Sequence, residues 1–143
     1  ERHPCYIILR LSHLYGYGSG NRVFKGGVSN NICNSAVKEG KVTITNLNSS
    51  FDLVSIDDVV DAIDKSIHTE HINQILNIGG GAGVTLKSIV EQVSYLLDVD
   101  VIDLNREYFR ECTLDIHKAK KILNWNPSKK IKSEIRVLIN AYN

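Results

Sequence analysis

The chain contains no methionine, one tryptophan, two prolines and three cysteines. It also lacks a long apolar run and any marked excess of one charge, and each shortage excludes something. Cys5, Cys33 and Cys112 are odd in number, widely spaced and without a Cys-x-x-Cys pair. That argues against a disulfide framework or a zinc site and favours a reducing compartment, with cytoplasmic residence the expectation. No apolar stretch approaches a membrane span and no charged-then-apolar leader opens the chain, so no membrane role is expected. Lys and Arg number 17 against 16 Asp and Glu, interleaved along the chain, whereas a nucleic-acid footprint needs a basic patch or stripe. The one basic cluster, Lys118, Lys120, Lys121, Lys129, Lys130 and Lys132, reads as a solvated face. The missing methionine, with Glu1 only five residues ahead of an apparent core strand, points to a fragment of a longer chain.

What is present is one domain's worth of sequence: 143 residues, 43% hydrophobic and 23% charged, an ordinary soluble composition. Tyr6 to Leu9 form a short apolar run with two β-branched residues, and glycines at 16, 18 and 20 end it. This reads as a buried strand entering a flexible loop. A strand apolar on both faces suggests a parallel sheet between helical layers, whose ligands bind beyond the strands' carboxyl ends. Arg10, Ser12, His13 and Tyr15 sit where such a crevice would be. A strand of any α/β domain, with glycines needed only for turning, fits the spacing equally.

Val28, Ile32, Cys33, Ala36 and Val37 recur at helical spacing up to Gly40, a C-terminal stop. Ser29, Asn30 and Asn31 fall in that helix's first turn, where unpaired backbone donors suit a phosphate; simple capping by Ser29 or Asn30 explains the residues as well. Lys41 to Thr45 and Phe51 to Ile56 read as two strands joined by a polar turn, hence a hairpin. Asn48-Ser49-Ser50 matches a glycosylation acceptor but is discounted without a leader. Asp57 and Asp58 open a helix carrying Val59, Val60, Ile63 and Ile67, and read as cap and dipole partners rather than catalytic carboxylates. Gln74 to Ile78, the glycines at 79, 80, 81 and 83, and a helix from Leu86 to Leu97 imitate a dinucleotide fingerprint. Position 84 is Val, so the Gly-x-Gly-x-x-Gly spacing fails. Val99 to Leu104 suggests a strand. A helix from Leu114 to Leu123 ends before Asn126-Pro127, Trp125 reads as core, and a last amphipathic helix carries Ile131, Ile135, Leu138, Ile139 and Tyr142.

Several of these segments resemble, in correct order, the extended short-chain dehydrogenases/reductases, the NAD-dependent epimerases and dehydratases of nucleotide sugars. Leu9-Arg10-Leu11-Ser12-His13-Leu14-Tyr15-Gly16-Tyr17-Gly18 is similar to their Leu-Arg-x-x-Asn-x-Tyr-Gly-Pro-Gly, with His13 at the asparagine and Tyr17 at the proline. Gly27-Val28-Ser29-Asn30-Asn31-Ile32 resembles Gly-x-Pro-Asn-Asn-Leu. The segment from Asp115 to Pro127 looks like the Asp-x-Ser-Lys-Ala-x-x-Leu-Gly-Trp-x-Pro ending, with His117 for serine and Asn124 for glycine. The resemblance implies an α/β fold, a fragment of a Rossmann-type parallel sheet plus the small C-terminal substrate-binding subdomain. On that reading residues 1–143 are the substrate-binding portion, and the half that chiefly binds NAD is absent.

The same resemblance implies cofactor contacts from Leu11, Ser12 and His13, and contacts to a nucleotide-diphosphate sugar from His13, Arg22, Asn30, Asn31, Arg106 and Arg110. It implies no metal, and a homodimer for the full-length protein. Phe51 stands where the family's diphosphate-clamping arginine is expected, which makes Arg106 and Arg110 the substitutes and Arg22 the third choice. None of the six tyrosines has a lysine four residues on, so no catalytic residue is assigned and the chain alone is expected to be inactive. The rival reading is a non-enzymatic α/β ligand-binding or interaction module.

Overall fold

The computed structural model describes residues 5–18, 22–23, 26–107 and 110–143. Strand β1 (Ile7–Leu11) pairs in parallel with β7 (Gln74–Ile78), Ile8 opposite Ile75. The chain then steps sideways: β2 (His13–Tyr15) leaves that pair and lies parallel to β6 (Ser50–Ser55), His13 opposite Leu53. On β6 also pack β10 (Glu111–Cys112), parallel, and β8 (Gly83–Thr85), antiparallel. Phe51 through Ser55 are all buried, as befits a strand covered on both faces. A short antiparallel ribbon, β3 (Tyr17–Gly18) with β4 (Arg22–Val23), follows β2. The mixed α/β architecture with parallel pairs is the one expected.

The expected hairpin between residues 41 and 56 does not form. Strand β5 (Lys41–Ile44) pairs in parallel with β9 (Asp100–Asp103), Lys41 opposite Asp100. The burial patterns explain the divergence: β5 alternates exposed and buried, whereas β6 is buried along almost its whole length, so the two suit different sheets. The polar turn between them is a crossover held from outside. Asn46 Nδ2 donates to the Arg106 carbonyl at 2.7 Å, and Leu47 and Ser49 carbonyls accept from Lys87 and Leu86 N–H.

Helix α1 (Val28–Glu39) begins at Gly27, with φ 76° and no side-chain cap. The capping expected of Ser29 or Asn30 therefore does not occur; both are fully buried. Helix α2 (Ile56–His68) is capped by Ser55, whose Oγ accepts from Asp58 N–H at 3.0 Å and donates to Asp58 Oδ2 at 2.9 Å. Such caps contribute about 1 kcal/mol. Asp58 also accepts from Ser128 N–H and Oγ and from Lys129 N–H, while its carbonyl accepts from Trp125 Nε1. It thus ties the 125–129 segment to α2, a structural task. Helix α3 (Leu86–Leu96) is capped by Thr85. Helix α4 is shorter than expected, His117–Leu123, because Asp115 accepts the His117 N–H and ring nitrogen just before it. Helix α5 runs Ile131–Tyr142.

Two cores result. One joins α1, α3, α5 and β5 through Cys33, Val42, Val93 and Ile135, and the other gathers β7, α2 and α4 around Leu76, Ala62 and Trp125. The first strand departs from expectation: Tyr6 and Ile8 are 48% and 47% exposed. Helix α1 is well buried at Ile32, Cys33 and Ala36. The cysteines are free, Cys33 buried and the other two exposed, and the six clustered lysines are exposed as read. No helix among the described residues is long and apolar enough to cross a membrane.

Candidate functional site

A cavity of about 400 Å³ opens where α1, β2, β5, β6 and the segment before β10 meet. Three of its walls follow from local sequence. Helix α1 contributes Val28, Asn31 and Ser35, spaced so that they share one face. Strand β5 directs Val42 and Ile44 into the core, with Thr43 and then Thr45 on its opposite face, all four bordering the cavity. The floor is aromatic: His13 of β2 meets Phe51 of β6 edge to face, with centroids 4.8 Å apart and planes at 66°. Arg110 supplies the cationic rim. Its backbone is pinned to β6, the N–H donating to Ser49 Oγ at 3.2 Å and the carbonyl accepting from Ser50 N–H at 2.7 Å. A second cleft of about 260 Å³ shares Val28, Thr45, Phe51, Leu86 and Arg110 and extends the cavity past the cation.

Of the residues singled out from sequence, His13, Asn31 and Arg110 converge here although they lie far apart in the chain. Arg106 does not line the cavity. It is exposed, and its backbone joins the Thr45 carbonyl and the Asn46 side chain. Asn30 is fully buried and turned away to grip Gly16, accepting its N–H at 3.2 Å and donating to its carbonyl at 2.8 Å. The Arg22 backbone lies in β4, but its side chain is outside the described residues. Leu11 is 44% exposed at the end of β1. Beside it the Ser12 N–H donates to the Ile78 carbonyl at 2.9 Å, and the Ser12 hydroxyl is buried with no hydrogen-bond partner among the described residues. Ser35, Thr43 and Thr45 were missed; the outward phase of α1 and the alternation of β5 were the signals that could have found them.

Two tempting features fall away on geometry. The N–H groups of Gly80 and Gly81 both donate to the Asp52 carboxylate, with Leu114 N–H as a third donor. The glycine loop therefore cradles a carboxylate of its own chain, where a pyrophosphate would compete for occupied donors. Tyr15 is 1% exposed. Burial first, then the charges of Asp58, Glu134 and Asp57, push its hydroxyl well above the usual tyrosine range, which unfits it to serve as a base at neutral pH.

Comparison with known proteins bears on this cavity through the fold. Residues 2–79 match the model of the NAD dependent epimerase/dehydratase family. The chain is 30% identical over 141 residues to an Escherichia coli dTDP-4-dehydro-6-deoxyglucose reductase, covering 94% of this chain and 44% of that protein. Among solved structures, Helicobacter pylori ADP-L-glycero-D-manno-heptose-6-epimerase superposes with TM-score 0.83 at 18% identity, over 95% of this chain and 44% of that one. Thermotoga maritima UDP-glucose 4-epimerase, solved with UDP-glucose, gives 0.77 at 22% identity, over 96% and 46%. Bacillus cereus UDP-glucuronic acid 4-epimerase, solved with UDP-glucuronic acid and NAD, gives 0.78 at 17%, over 95% and 44%. The chain thus spans less than half the length of each of these proteins.

Proposed function

The chain belongs to the NAD-dependent epimerase/dehydratase family, and from that premise we propose that residues 1–143 are the nucleotide-sugar-binding portion of a longer NAD-dependent enzyme. The observation that carries the reading is the meeting of His13, Asn31 and Arg110 around one cavity of about 400 Å³. The Arg110 guanidinium is the diphosphate ligand, since its planar fork matches paired phosphate oxygens. Asn31 and the hydroxyls of Ser35, Thr43 and Thr45 give directional contacts to sugar or base, and the His13–Phe51 pair gives a ring an apolar surface. NAD, when bound, supplies the hydride acceptor. On this chain the unpartnered, buried Ser12 hydroxyl fits a polar edge of that cofactor, with Leu11 and His13 flanking it. Among the described residues no base is positioned, so on this reading turnover needs groups beyond them.

Calorimetric titration with UDP-glucose and dTDP-glucose tests the proposal. Arg110→Ala is expected to weaken binding about ten- to a hundredfold, the worth of one charge-assisted hydrogen bond at roughly 1.5–3 kcal/mol. Arg106→Ala is expected to leave it nearly unchanged. NAD alone should bind weakly. If neither nucleotide sugar binds the wild type, or Arg110→Ala binds normally, the non-enzymatic module becomes the better account.

A further inference from the structure

Two of the described residues bordering the cavity of about 400 Å³ carry ionisable side chains, His13 and Arg110, and the charge either one bears is positive; no carboxylate among the described residues borders it. The acids of the elements around β2 act elsewhere. Asp52 of β6 accepts the N–H groups of Gly80, Gly81 and Leu114, and Asp57, Asp58 and Glu134 act on the Tyr15 hydroxyl, the first and last of them around a separate small recess. In α1, Lys38 and Glu39 lie in the last turn and the Cys33 thiol is in the core. Lys41 of β5 and Glu111 of β10 are exposed, and neither borders the cavity. His13 itself is half-buried and has no hydrogen-bond partner among the described residues. Its ring meets Phe51 with centroids 4.8 Å apart, inside the roughly 6 Å over which an aromatic ring attracts a cation. An imidazole can give its face to a neighbouring ring and its N–H edge to an anion, so the two uses do not compete.

We propose that His13 is a proton-gated second cation of this cavity: a doubly charged anion held by Arg110 draws a proton from solvent onto the imidazole, which then binds the anion through a charge-assisted hydrogen bond. Imidazole changes charge within the physiological pH range, and an anion close by favours its charged form. The imidazolium also donates from both nitrogens, where the neutral ring donates from one. Affinity is therefore highest on the acid side and falls as pH climbs. That the anion is the diphosphate of a nucleotide sugar rests on the preceding reading; the proton-linked selectivity for a dianion does not.

UDP-glucose keeps both diphosphate charges between pH 5.5 and pH 8, so a pH dependence of its binding comes from the protein. Calorimetry is expected to show wild type binding it about tenfold more tightly at the lower pH, the worth of one charge-assisted hydrogen bond. Near neutral pH, binding should take up part of a proton, read as a heat that varies with the ionisation enthalpy of the buffer. His13→Gln keeps a polar side chain that cannot charge. It should match wild type at pH 8 and lose both the gain in acid and the proton uptake. A wild-type affinity that does not change with pH overturns the proposal, as does a gain in acid that persists in His13→Gln. Equal weakening of His13→Gln at both pH values marks a structural role and overturns it too. If wild type binds UDP-glucose at neither pH, the nucleotide-sugar reading fails by itself. The proton-gated cation is then judged with sodium sulfate, which stays doubly charged at pH 5.5. A thermal midpoint raised more in wild type than in His13→Gln upholds it, and an equal rise overturns it.

Discussion

Replacing Asp52 with Ala should be the most damaging single change outside the apolar cores. The carboxylate is fully buried and accepts N–H bonds from Gly80, Gly81 and Leu114. It therefore fastens β6 to the β7–β8 loop and to the segment leading into α4. The loop's glycines are built around it, for an added Cβ at Gly79 would stand 2.8 Å from an Asp52 oxygen and one at Gly80 2.4 Å from the Leu53 carbonyl. A hydrogen bond to a charged group contributes about 1.5–3 kcal/mol, and a stranded buried donor costs about 1–3 kcal/mol. Gly81 is exposed and Gly80 and Leu114 only partly buried, so water recovers part of this. A net loss of about 3–5 kcal/mol remains, or a midpoint lowered by about 10–15 °C in a domain of this size. Urea unfolding and calorimetry measure it. Asp52→Asn keeps one acceptor but turns an amide NH₂ toward N–H donors, and should lose about 2–3 kcal/mol. The substitution also exposes three convergent donors, so inorganic phosphate should raise the midpoint of Asp52→Ala and leave wild type unmoved. A loss below about 1 kcal/mol, or phosphate stabilising wild type equally, would refute the assignment of this loop as a carboxylate cradle.

The remaining expectations concern the thiols and the exposed apolar surface. Burial pushes the Cys33 thiol from 9.0 up to about 12, so at pH 8 a thiol reagent should label Cys5 and Cys112 and spare Cys33 until the protein unfolds. Because the folded value is the raised one, its contribution is intact below pH 9 and is lost as pH climbs toward 12. Stability should fall there by up to about 1.4 kcal/mol per pH unit, and Cys33→Ala should flatten the slope between pH 9 and 10, before Tyr15 adds its own loss. Val60, Ile63 and Ile67 on α2 are 58%, 44% and 72% exposed, as are Tyr6 just before β1 at 48% and Ile8 and Ile75 on the β1–β7 pair at 47% and 39%. Such apolar stripes favour association: sedimentation should show self-association that Ile67→Glu reduces, and a strictly monomeric chain at high concentration would count against the expectation.

Periodicity and local chemistry decided a good part of this molecule in advance. The amphipathic spacing of α1, α2, α3 and α5, the left-handed stop at Gly40 and the cap at Thr85 follow from interactions within a few residues. So does the failure of the glycine run as a dinucleotide fingerprint, which spacing alone excludes. Strand partners were another matter. Nothing near residues 41–56 announces that β5 will choose β9 and β6 will choose β2, because pairing depends on which faces the rest of the chain covers. The cavity was legible only in pieces: His13, Asn31 and Arg110 were singled out separately, and it took the β2–β6 and β6–β10 pairings to bring them around one volume. The two asparagines show the limit most clearly. As neighbours in one motif, Asn30 and Asn31 are equivalent on paper, but one helical step of 100° turns Asn31 to the cavity and buries Asn30 against Gly16. A side chain's direction relative to the next layer is a tertiary fact.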